Sequence, residues 1–255
     1  MESKQAKVGI CLQAYIPLRK EPAEQAEMTS QVIFGEFVEI IEITEMWLYV
    51  KILFDNYEGW IDKNSITLTD SFTRDNKAIT IRNTTLINTK SNKKVHIPIG
   101  SVFPNSVKNQ TEIISTTFKA TDPSAIINKK TMQLKKVIEQ LEGIPFIWGG
   151  RTGYGFDCSG LTQYLLRTQG KKIPRDSSEQ ARLGITLNFL NETKTGDLAF
   201  FDNSEGIITH VGAIIDSNTI LHASGRVRFD KLDQQGIYNE ALGKYTHRLR
   251  IIKRV

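Results

Sequence analysis

The sequence has 255 residues, of which 40% are apolar and 24% charged, and its net charge of +5 is ordinary for a globular protein. No apolar run approaches the ~20 residues of a membrane-spanning helix, so no membrane span is expected. The chain begins without the apolar segment and cleavage site of a secretory signal. We therefore expect a cytoplasmic protein, or a secreted or periplasmic one if a signal has been removed. Basic and aromatic residues do not interleave, so no nucleic-acid partner is expected.

The first part of the chain is predicted to be β-structure. Short apolar or alternating runs are separated by polar turns, and Asp55-Asn56 ahead of an aromatic run signals a hairpin. The runs fall into two sets, which predict one small all-β barrel over residues 1–67 and a second over 68–122. The predicted strands lie in the runs at 7–16, 31–43, 46–54, 57–66, 78–89, 96–104 and 116–120.

The pattern changes after Asp122-Pro123. A helix that ends at Gly143 is predicted, followed by a second helix that begins near Cys158 and stops at Gly170. Strand-like runs then occupy 195–201, 208–216, 219–225 and 247–255. Helices followed by strands indicate an α+β domain over residues 123–255. The first helix is inferred from apolar residues at helical spacing, which are Met132, Leu134, Val137, Ile138 and Leu141.

The two cysteines have different surroundings. Cys11 lies in an apolar strand-like run, which is typical of a packed core residue, and nothing in the spacing indicates a disulfide framework. Cys158 lies in "FIWGGRTGYGFDCSG", among glycine, aspartate and serine. A helix N-terminus lowers a thiol pKa, so Cys158 is expected to be an activated nucleophile. The flanking glycines would let backbone N–H groups approach a substrate, and the N–H of Cys158 itself is a candidate oxyanion donor.

A nucleophilic cysteine needs a base, and the chain has four histidines. His96 lies in the first half and His247 among charges near the C-terminus. His210 and His222 instead lie in two successive apolar strand-like runs. A loop of Asp216-Ser217-Asn218 would place them on the same face of a hairpin, as diagonal neighbours. A two-residue loop would separate them, so an odd loop or a compensating bulge is predicted.

These residues have predicted roles in catalysis. His210 is the expected general base, and His222 is expected to orient it. The alternative is a zinc site made of Cys158, His210 and His222. It is the less favoured reading because the sequence has no paired Cys-x-x-Cys or His-x-x-x-His spacing.

The motifs "IPFIWGGRTGYGFDCSGLTQYLL", "KIPRDSSEQARLG", "KTGDLAFF", "THVGAII" and "ILHASG" resemble, in this order, the NlpC family of bacterial cell-wall peptidases. The resemblance covers roughly residues 143–225 and implies a papain-like cysteine peptidase domain. It implies cleavage of γ-D-glutamyl bonds to the diamino acid of peptidoglycan stem peptides, with no cofactor. Carried over, Cys158 is the nucleophile, His210 the base and His222 the third polar residue.

The first half resembles the bacterial SH3 modules that are often fused to this domain, so its two barrels are expected to be SH3-like. "IPLRKEP", "AEMTSQVIFGE" and "YEGWI" resemble the branch that acts on free muropeptides with an N-terminal L-alanine. The resemblance implies that carboxylates and hydroxyls hold the free amine of the peptide. The residues carried over are Asp157, Ser177, Tyr57 and Glu27, the last preferred to Glu36, and Trp148 is a further substrate-binding candidate.

One residue departs from the family pattern. Phe146 stands where the family commonly has a tyrosine whose hydroxyl assists the oxyanion, and a phenylalanine side chain cannot donate a hydrogen bond. Loss of one such donor typically costs ~2.7–4 kcal/mol, so slow turnover is expected unless another donor substitutes.

The sequence therefore predicts a γ-D-glutamyl-L-diamino acid endopeptidase of free muropeptides in cell-wall recycling, expected to act as a monomer. One alternative is a hydrolase that remodels intact peptidoglycan, with the SH3-like modules as tethers. A second is a non-catalytic cell-wall binding protein. The diamino acid, meso-diaminopimelate or lysine, stays open.

Overall fold

The computed structural model describes residues 8–70, 72, 78–103, 106–107, 110–114, 116–128 and 134–255. The chain divides into two compact units. The first comprises Met1–Thr131 and Trp148–Gly153, and the second comprises Met132–Ile147 and Tyr154–Val255. Within the described ranges, no helix has the length and apolar character needed to cross a membrane.

The first unit begins with a seven-stranded antiparallel sheet in the order β3-β2-β6-β5-β4-β1-β7. The predicted hairpin is confirmed, because Asn56 adopts φ 62° in the turn between β5 and β6 and Asp55 accepts a hydrogen bond from the N–H of Tyr57. The predicted run 31–43 is divided by a turn at Gly35. The strands are β1 Val8–Ile10, β2 Tyr15–Arg19, β3 Met28–Ile33, β4 Phe37–Ile43, β5 Trp47–Ile52, β6 Glu58–Asp62 and β7 Thr67–Thr69.

A second set of strands forms a five-stranded sheet, β10-β9-β14-β13-β12, and a three-stranded sheet, β11-β8-β15. The second set also includes β15, which pairs with β8. The three domain ranges given above stay predictions. The strands are β8 Ala78–Thr80, β9 Thr84–Asn88, β10 Lys94–Ile97, β11 Val102–Phe103, β12 Ser106–Val107, β13 Gln110–Ile113, β14 Thr116–Ala120 and β15 Ile126–Asn128.

One apolar cluster joins the two sets of strands. Phe34, beyond the end of β3, packs with ring centroids 6.0 Å from both Phe103 and Phe118. Each fully buried phenylalanine stabilises the fold by about 1.5–3 kcal/mol, so this cluster couples the two sets. A separate cluster inside the first sheet contains Cys11, which is fully buried as predicted. Burial raises the pKa of the Cys11 thiol well above its usual range, so this thiol is inert.

Residues 148–153 belong to the first unit and carry the short strand β16, Arg151–Thr152. Arg151 is buried and forms ion pairs with Glu36, with Nη1–Oε2 and Nη2–Oε1 distances of 3.0 and 3.1 Å. Gly149 adopts φ +77°, and a Cβ there would lie 2.4 Å from the backbone oxygen of Met28. This glycine therefore allows close packing of backbone segments, whereas the sequence suggested a role in substrate approach.

The second unit contains helices that precede a sheet. The helices are α1 Leu134–Ile138, α2 Cys158–Thr168 and α3 Ser177–Gln180, and the two-residue strand β17 is Gly155–Phe156. α2 begins and ends as predicted, since Gly170 adopts φ +74° beyond its last turn. α1 is shorter than predicted, because Leu141 lies in a turn, and Met132 lies outside the described residues.

A seven-stranded antiparallel sheet completes the second unit, in the order β18-β24-β19-β20-β21-β22-β23, with a further pairing of β23 to β24. The four predicted strand runs correspond to β19, β20, β21 and β24, whereas β18, β22, β23 and α3 were not predicted. The strands are β18 Ile185–Leu187, β19 Leu198–Asp202, β20 Ile208–Asp216, β21 Thr219–Ser224, β22 Arg226–Leu232, β23 Gly236–Asn239 and β24 Lys244–Arg254.

Candidate active site

The N-terminus of α2 presents Cys158 as its first residue. Asp157 is the N-cap, and its Oδ1 accepts a 2.7 Å hydrogen bond from the N–H of Gly160. The same carboxylate pairs with Arg175, at 3.1 Å from Nη1 to Oδ1 and 2.5 Å from Nη2 to Oδ2, and both side chains are buried. The cap and the ion pair therefore hold the start of α2 and the position of the thiol.

The thiol does not have the lowered pKa that a helix N-terminus predicts. Burial and the nearby Asp157 carboxylate raise the pKa of Cys158 to about 11, against weaker opposing contributions that include the Val211 N–H and Arg175. That expectation was therefore wrong, because burial and the adjacent negative charge outweigh the donors at the start of the helix. The resting thiol is protonated, and a base must remove its proton.

The hairpin of β20 and β21 brings the two predicted histidines together. Gly212 lies opposite His222, as predicted, but the loop has two residues and the register shifts between Ile214 and Asp216. The compensating bulge that a two-residue loop requires is therefore present. Gly212 is needed at this position, because a Cβ there would lie 2.6 Å from the Ile220 side chain and 3.0 Å from the Cβ of His222.

His210 and His222 form a direct hydrogen bond, with 2.9 Å between His210 Nε2 and His222 Nδ1. Both rings are buried. The backbone N–H of Val211, next to His210, donates to the Cys158 sulfur, so the thiol and the histidine pair share one site. Burial, followed by the neighbouring His247 and His222, holds the pKa of His210 well below its usual value, so this imidazole is neutral and can accept a proton.

Two charged residues of β22 extend the histidine pair and were not identified from the sequence. Asp230 Oδ2 lies 2.9 Å from His222 Nε2, and Asp230 Oδ1 accepts a 2.7 Å hydrogen bond from Arg228 Nη2. Arg228 lies directly opposite His222 in the pairing of β21 with β22. The polar alternation of Arg226, Arg228 and Asp230 is a sequence signal for this face, but only once the strand register is known.

A third histidine, which the sequence places among charges near the C-terminus, also belongs to the site. His247 of β24 stacks on His210, with ring centroids 4.1 Å apart and an interplanar angle of 26°. Its Nδ1 lies 2.9 Å from the Thr246 hydroxyl. Burial and the nearby His222 lower the pKa of His247 to about 4, so it adds no positive charge beside His210 near neutral pH.

One ring nitrogen from each of His210, His222 and His247 lies within 4.8 Å of the other two. A tetrahedral zinc site needs lone pairs that converge on one point at about 2.0–2.1 Å. Here His210 and His222 direct nitrogens at each other, and the nearly parallel rings of His210 and His247 do not converge. The arrangement fits a hydrogen-bonded catalytic relay better than a metal site, and it equally disfavours the Cys158–His210–His222 zinc alternative.

The predicted substrate-binding residues occupy both units. Ser177 is half-buried at the start of α3 in the second unit. In the first unit, the indole N–H of the exposed Trp148 donates to Glu27 Oε1 at 2.8 Å, and Tyr57 packs partly buried against the first-sheet core. Glu36, the rejected alternative to Glu27, is buried against Arg151.

Phe146 is half-buried in the second unit. Its backbone N–H donates to Gly225, and it bridges to Phe156. The side chain supplies no donor, so an oxyanion would have to rely on other groups.

Comparisons with known proteins agree with this geometry. Residues 143–246 match the profile of the NlpC/P60 family, and residues 18–66 match that of the bacterial dipeptidyl-peptidase SH3 domain. The chain is 26% identical to a γ-D-glutamyl-L-lysine dipeptidyl-peptidase of Bacillus subtilis (strain 168), over 76% of this chain and 71% of the relative. It is 32% identical to the probable endopeptidase NlpC of Escherichia coli (strain K12), over 42% of this chain and 71% of the relative.

A solved structure shows a similar fold. The crystal structure of an NlpC/P60 family protein from Bacillus cereus (ATCC 10987) superimposes with a TM-score of 0.81 at 18% identity, covering 97% of this chain and 99% of that one.

Proposed function

The chain belongs to the NlpC/P60 family, and from that premise we propose that it is a cysteine peptidase of peptidoglycan stem peptides. The bond cleaved is the amide between the γ-carboxyl of D-glutamate and the diamino acid. The relative from Bacillus subtilis supports this assignment, since its name specifies a γ-D-glutamyl-L-lysine bond. We also propose that the second unit is the papain-like part of the fold.

The observation that carries the proposal is the hydrogen bond that joins Cys158 to Val211, the residue next to His210. The thiol accepts the N–H of Val211, and the adjacent His210 is neutral and hydrogen-bonded to His222. A protonated thiol next to a neutral imidazole is the starting arrangement for general-base activation.

The reaction follows from these protonation states. His210 takes the thiol proton as the sulfur bonds to the γ-carbonyl carbon, and the carbonyl electrons move to the oxygen. The N–H of Cys158 is our candidate donor to that oxyanion. The His210 imidazolium then gives its proton to the departing amine as the C–N bond breaks. Water, deprotonated by His210, adds to the thioester carbon, and the C–S bond breaks to release the γ-glutamyl product. His210 returns the proton to the Cys158 thiolate, which restores the resting site.

We further propose that the enzyme prefers free muropeptides with an N-terminal L-alanine. Asp157, Ser177, Tyr57, Glu27 and Trp148 are the residues proposed to bind the substrate. The two carboxylates offer negative charge to an ammonium, and the hydroxyls offer acceptors. Asp157 already pairs with Arg175, so an ammonium would share that carboxylate. Cytoplasmic location and a monomeric state remain part of the proposal.

Mass spectrometry of L-Ala-γ-D-Glu-diamino acid peptides tests the activity. We expect release of L-Ala-γ-D-Glu and the free diamino acid, and no release by Cys158→Ala. Peptides carrying lysine and meso-diaminopimelate, compared side by side, identify the preferred diamino acid. If neither the wild type nor Cys158→Ala releases product from either peptide, the chain is the non-catalytic binding protein instead.

The same peptide with an acetylated N-terminus tests the substrate preference. Loss of the free amine is expected to lower kcat/KM by at least tenfold, the cost of about one charge-assisted hydrogen bond. Equal rates on free and acetylated peptides, together with release from intact wall, would favour the wall-remodelling alternative.

A further inference from the structure

We propose that Asp230, held by Arg228, is a positioning residue that fixes which ring nitrogens of His222 and His210 carry protons. The inference rests on the proposed function, because it assigns the proton arrangement that His210 needs as a base. Neither residue touches the reacting atoms, and both act through His222.

The carboxylate of Asp230 has a defined orientation. Its Oδ1 faces Arg228 at 2.7 Å and its Oδ2 faces His222 Nε2 at 2.9 Å, and the Asp230 side chain is only 6% exposed. Arginine is always a donor, and an ionised carboxylate is always an acceptor. Burial alone would raise the pKa of Asp230, but hydrogen bonds from His222 and Arg228 keep this pKa below its usual value. Asp230 is therefore the acceptor in both of these hydrogen bonds.

This orientation of Asp230 determines the tautomer of His222 and, through it, the tautomer of His210. Since Asp230 can only accept, His222 Nε2 carries a proton, and a neutral His222 then has a lone pair on Nδ1. His210 Nε2 lies 2.9 Å from that lone pair and must donate to it. A neutral His210 is left with an unprotonated Nδ1, which is the nitrogen able to accept the Cys158 proton.

Asp230→Asn should reverse the positions of the protons on both His222 and His210. Arg228 can only donate, so the amide oxygen of the asparagine must face Arg228 and its NH₂ group must face His222. His222 Nε2 becomes the acceptor, Nδ1 carries the proton and donates to His210, and His210 is protonated on Nδ1 instead of Nε2. The base then has no lone pair for the thiol.

The groups around His210 that could alter this arrangement come from four elements. Cys158 lies on α2, His222 on β21 and His247 on β24, and Asp230 with Arg228 lies on β22. His247 is neutral near neutral pH, so Asp230 is the acidic group bonded to the histidine pair among the described residues of this unit.

Kinetics on the full chain test the effect. We expect Asp230→Asn to lower kcat about 100-fold with little change in KM. The loss should be smaller than the ~10⁴-fold seen when a carboxylate contacts the base directly, because one imidazole intervenes. Asp216→Asn, the same change at the tip of the β20–β21 hairpin, is the matched control and should retain wild-type kinetics.

A double variant separates tautomer control from simple damage. In Arg228→Met with Asp230→Asn, the asparagine is free to turn its oxygen towards His222, so kcat should recover at least tenfold relative to Asp230→Asn. A purely structural role would make the second change neutral or harmful. Absence of recovery would overturn the proposal.

Nitrogen-15 NMR of the histidine rings provides a readout that does not depend on the substrate. We expect His210 protonated on Nε2 in the wild type and on Nδ1 in Asp230→Asn. The rate of Cys158 alkylation by iodoacetamide at neutral pH should fall in parallel. Unchanged tautomers in Asp230→Asn would refute the inference even if the proposed peptidase activity is confirmed. The expected tautomer change in a protein without peptidase activity would refute only the proposed function.

Discussion

At the scale of single residues, the proposed nucleophile and base are both uncharged at rest. Burial and Asp157 raise the pKa of Cys158 to about 11, whereas burial, His247 and His222 lower that of His210. Both shifts favour the uncharged thiol and imidazole over a thiolate–imidazolium pair. In the proposed reaction His210 must therefore take the thiol proton as the sulfur attacks, and this requires a tautomer of His210 with a lone pair free for that proton.

The lowered pKa of His210 predicts the acid limb of the pH profile. Catalysis needs neutral His210, so kcat/KM should stay high as pH falls through 6.5, the ordinary histidine pKa, and decline only below it. The stability of the fold should also decrease at low pH. The unfolded chain binds a proton near pH 6.5 and the folded chain does not, so the free energy of unfolding decreases as pH falls below 6.5.

Measurement of kcat/KM and of Tm against pH checks both statements. His210→Gln, which removes the titrating group, should lose part of the pH dependence of Tm. An acid limb at or above pH 6.5 would contradict the assignment of His210 as a buried neutral base.

His247 is predicted to protect the base from water. It stacks on His210 and also lines an open cleft with Asn203 and Thr246. His247→Ala should admit water to the His210 ring, raise its pKa towards 6.5, shift the acid limb upward and lower kcat/KM at pH 6 by up to about fourfold. His247→Phe keeps a stacked ring and should retain the wild-type acid limb. Identical pH profiles for the two variants would exclude a shielding role.

At the scale of elements, the start of α2 combines a helix cap with an ion pair. Asp157 caps Gly160, and the same carboxylate neutralises the buried Arg175. Arg175 lies ahead of α3, so this pair ties the position of the nucleophile to the following segment of chain. A cap alone would be a local feature, whereas the ion pair makes the start of α2 depend on tertiary structure.

Two substitutions of Asp157 separate these contributions. Asp157→Ala removes the cap and the carboxylate that balances the charge of buried Arg175, so we expect a loss of about 3–5 kcal/mol in the free energy of unfolding. Asp157→Asn also removes the anion beside Arg175 but keeps an oxygen for the Gly160 N–H, so its loss should be smaller than that of Asp157→Ala by about the 1 kcal/mol of the cap. Urea unfolding followed by circular dichroism measures both. Equal losses would mean that the ion pair, and not the cap, carries the effect.

At the scale of the whole molecule, the glycine-rich stretch from Phe146 to Gly160 passes from the second unit to the first and back again. Residues 148–153 belong to the first unit, although the chain on either side belongs to the second. Arg151 fixes this segment through Glu36, and its own N–H bonds to the side chain of Gln31 at 2.8 Å. Arg151 thereby anchors in the first unit a segment that shortly precedes the nucleophile in the chain.

Arg151→Met should therefore destabilise the first unit strongly. It leaves Glu36 buried without its cation, which typically costs 3–5 kcal/mol. Arg82→Met is the matched control, because Arg82 pairs with Asp122 on the surface, where an ion pair contributes about 0–1 kcal/mol. Denaturant unfolding of both variants provides the comparison. A loss for Arg151→Met no larger than for Arg82→Met would contradict this account.

The sequence by itself determined the features that depend on neighbouring residues. The start of α2, the four main strands and the shared face of His210 and His222 all follow from local periodicity, turns and hairpin register. Only the tertiary structure decided the rest. Asp230 and His247 reach the histidine pair from strands whose register is set by the completed sheet, and the raised pKa of Cys158 arises from burial. Alternation within a strand shows which face a residue occupies, but the residue it meets there depends on how distant strands pack.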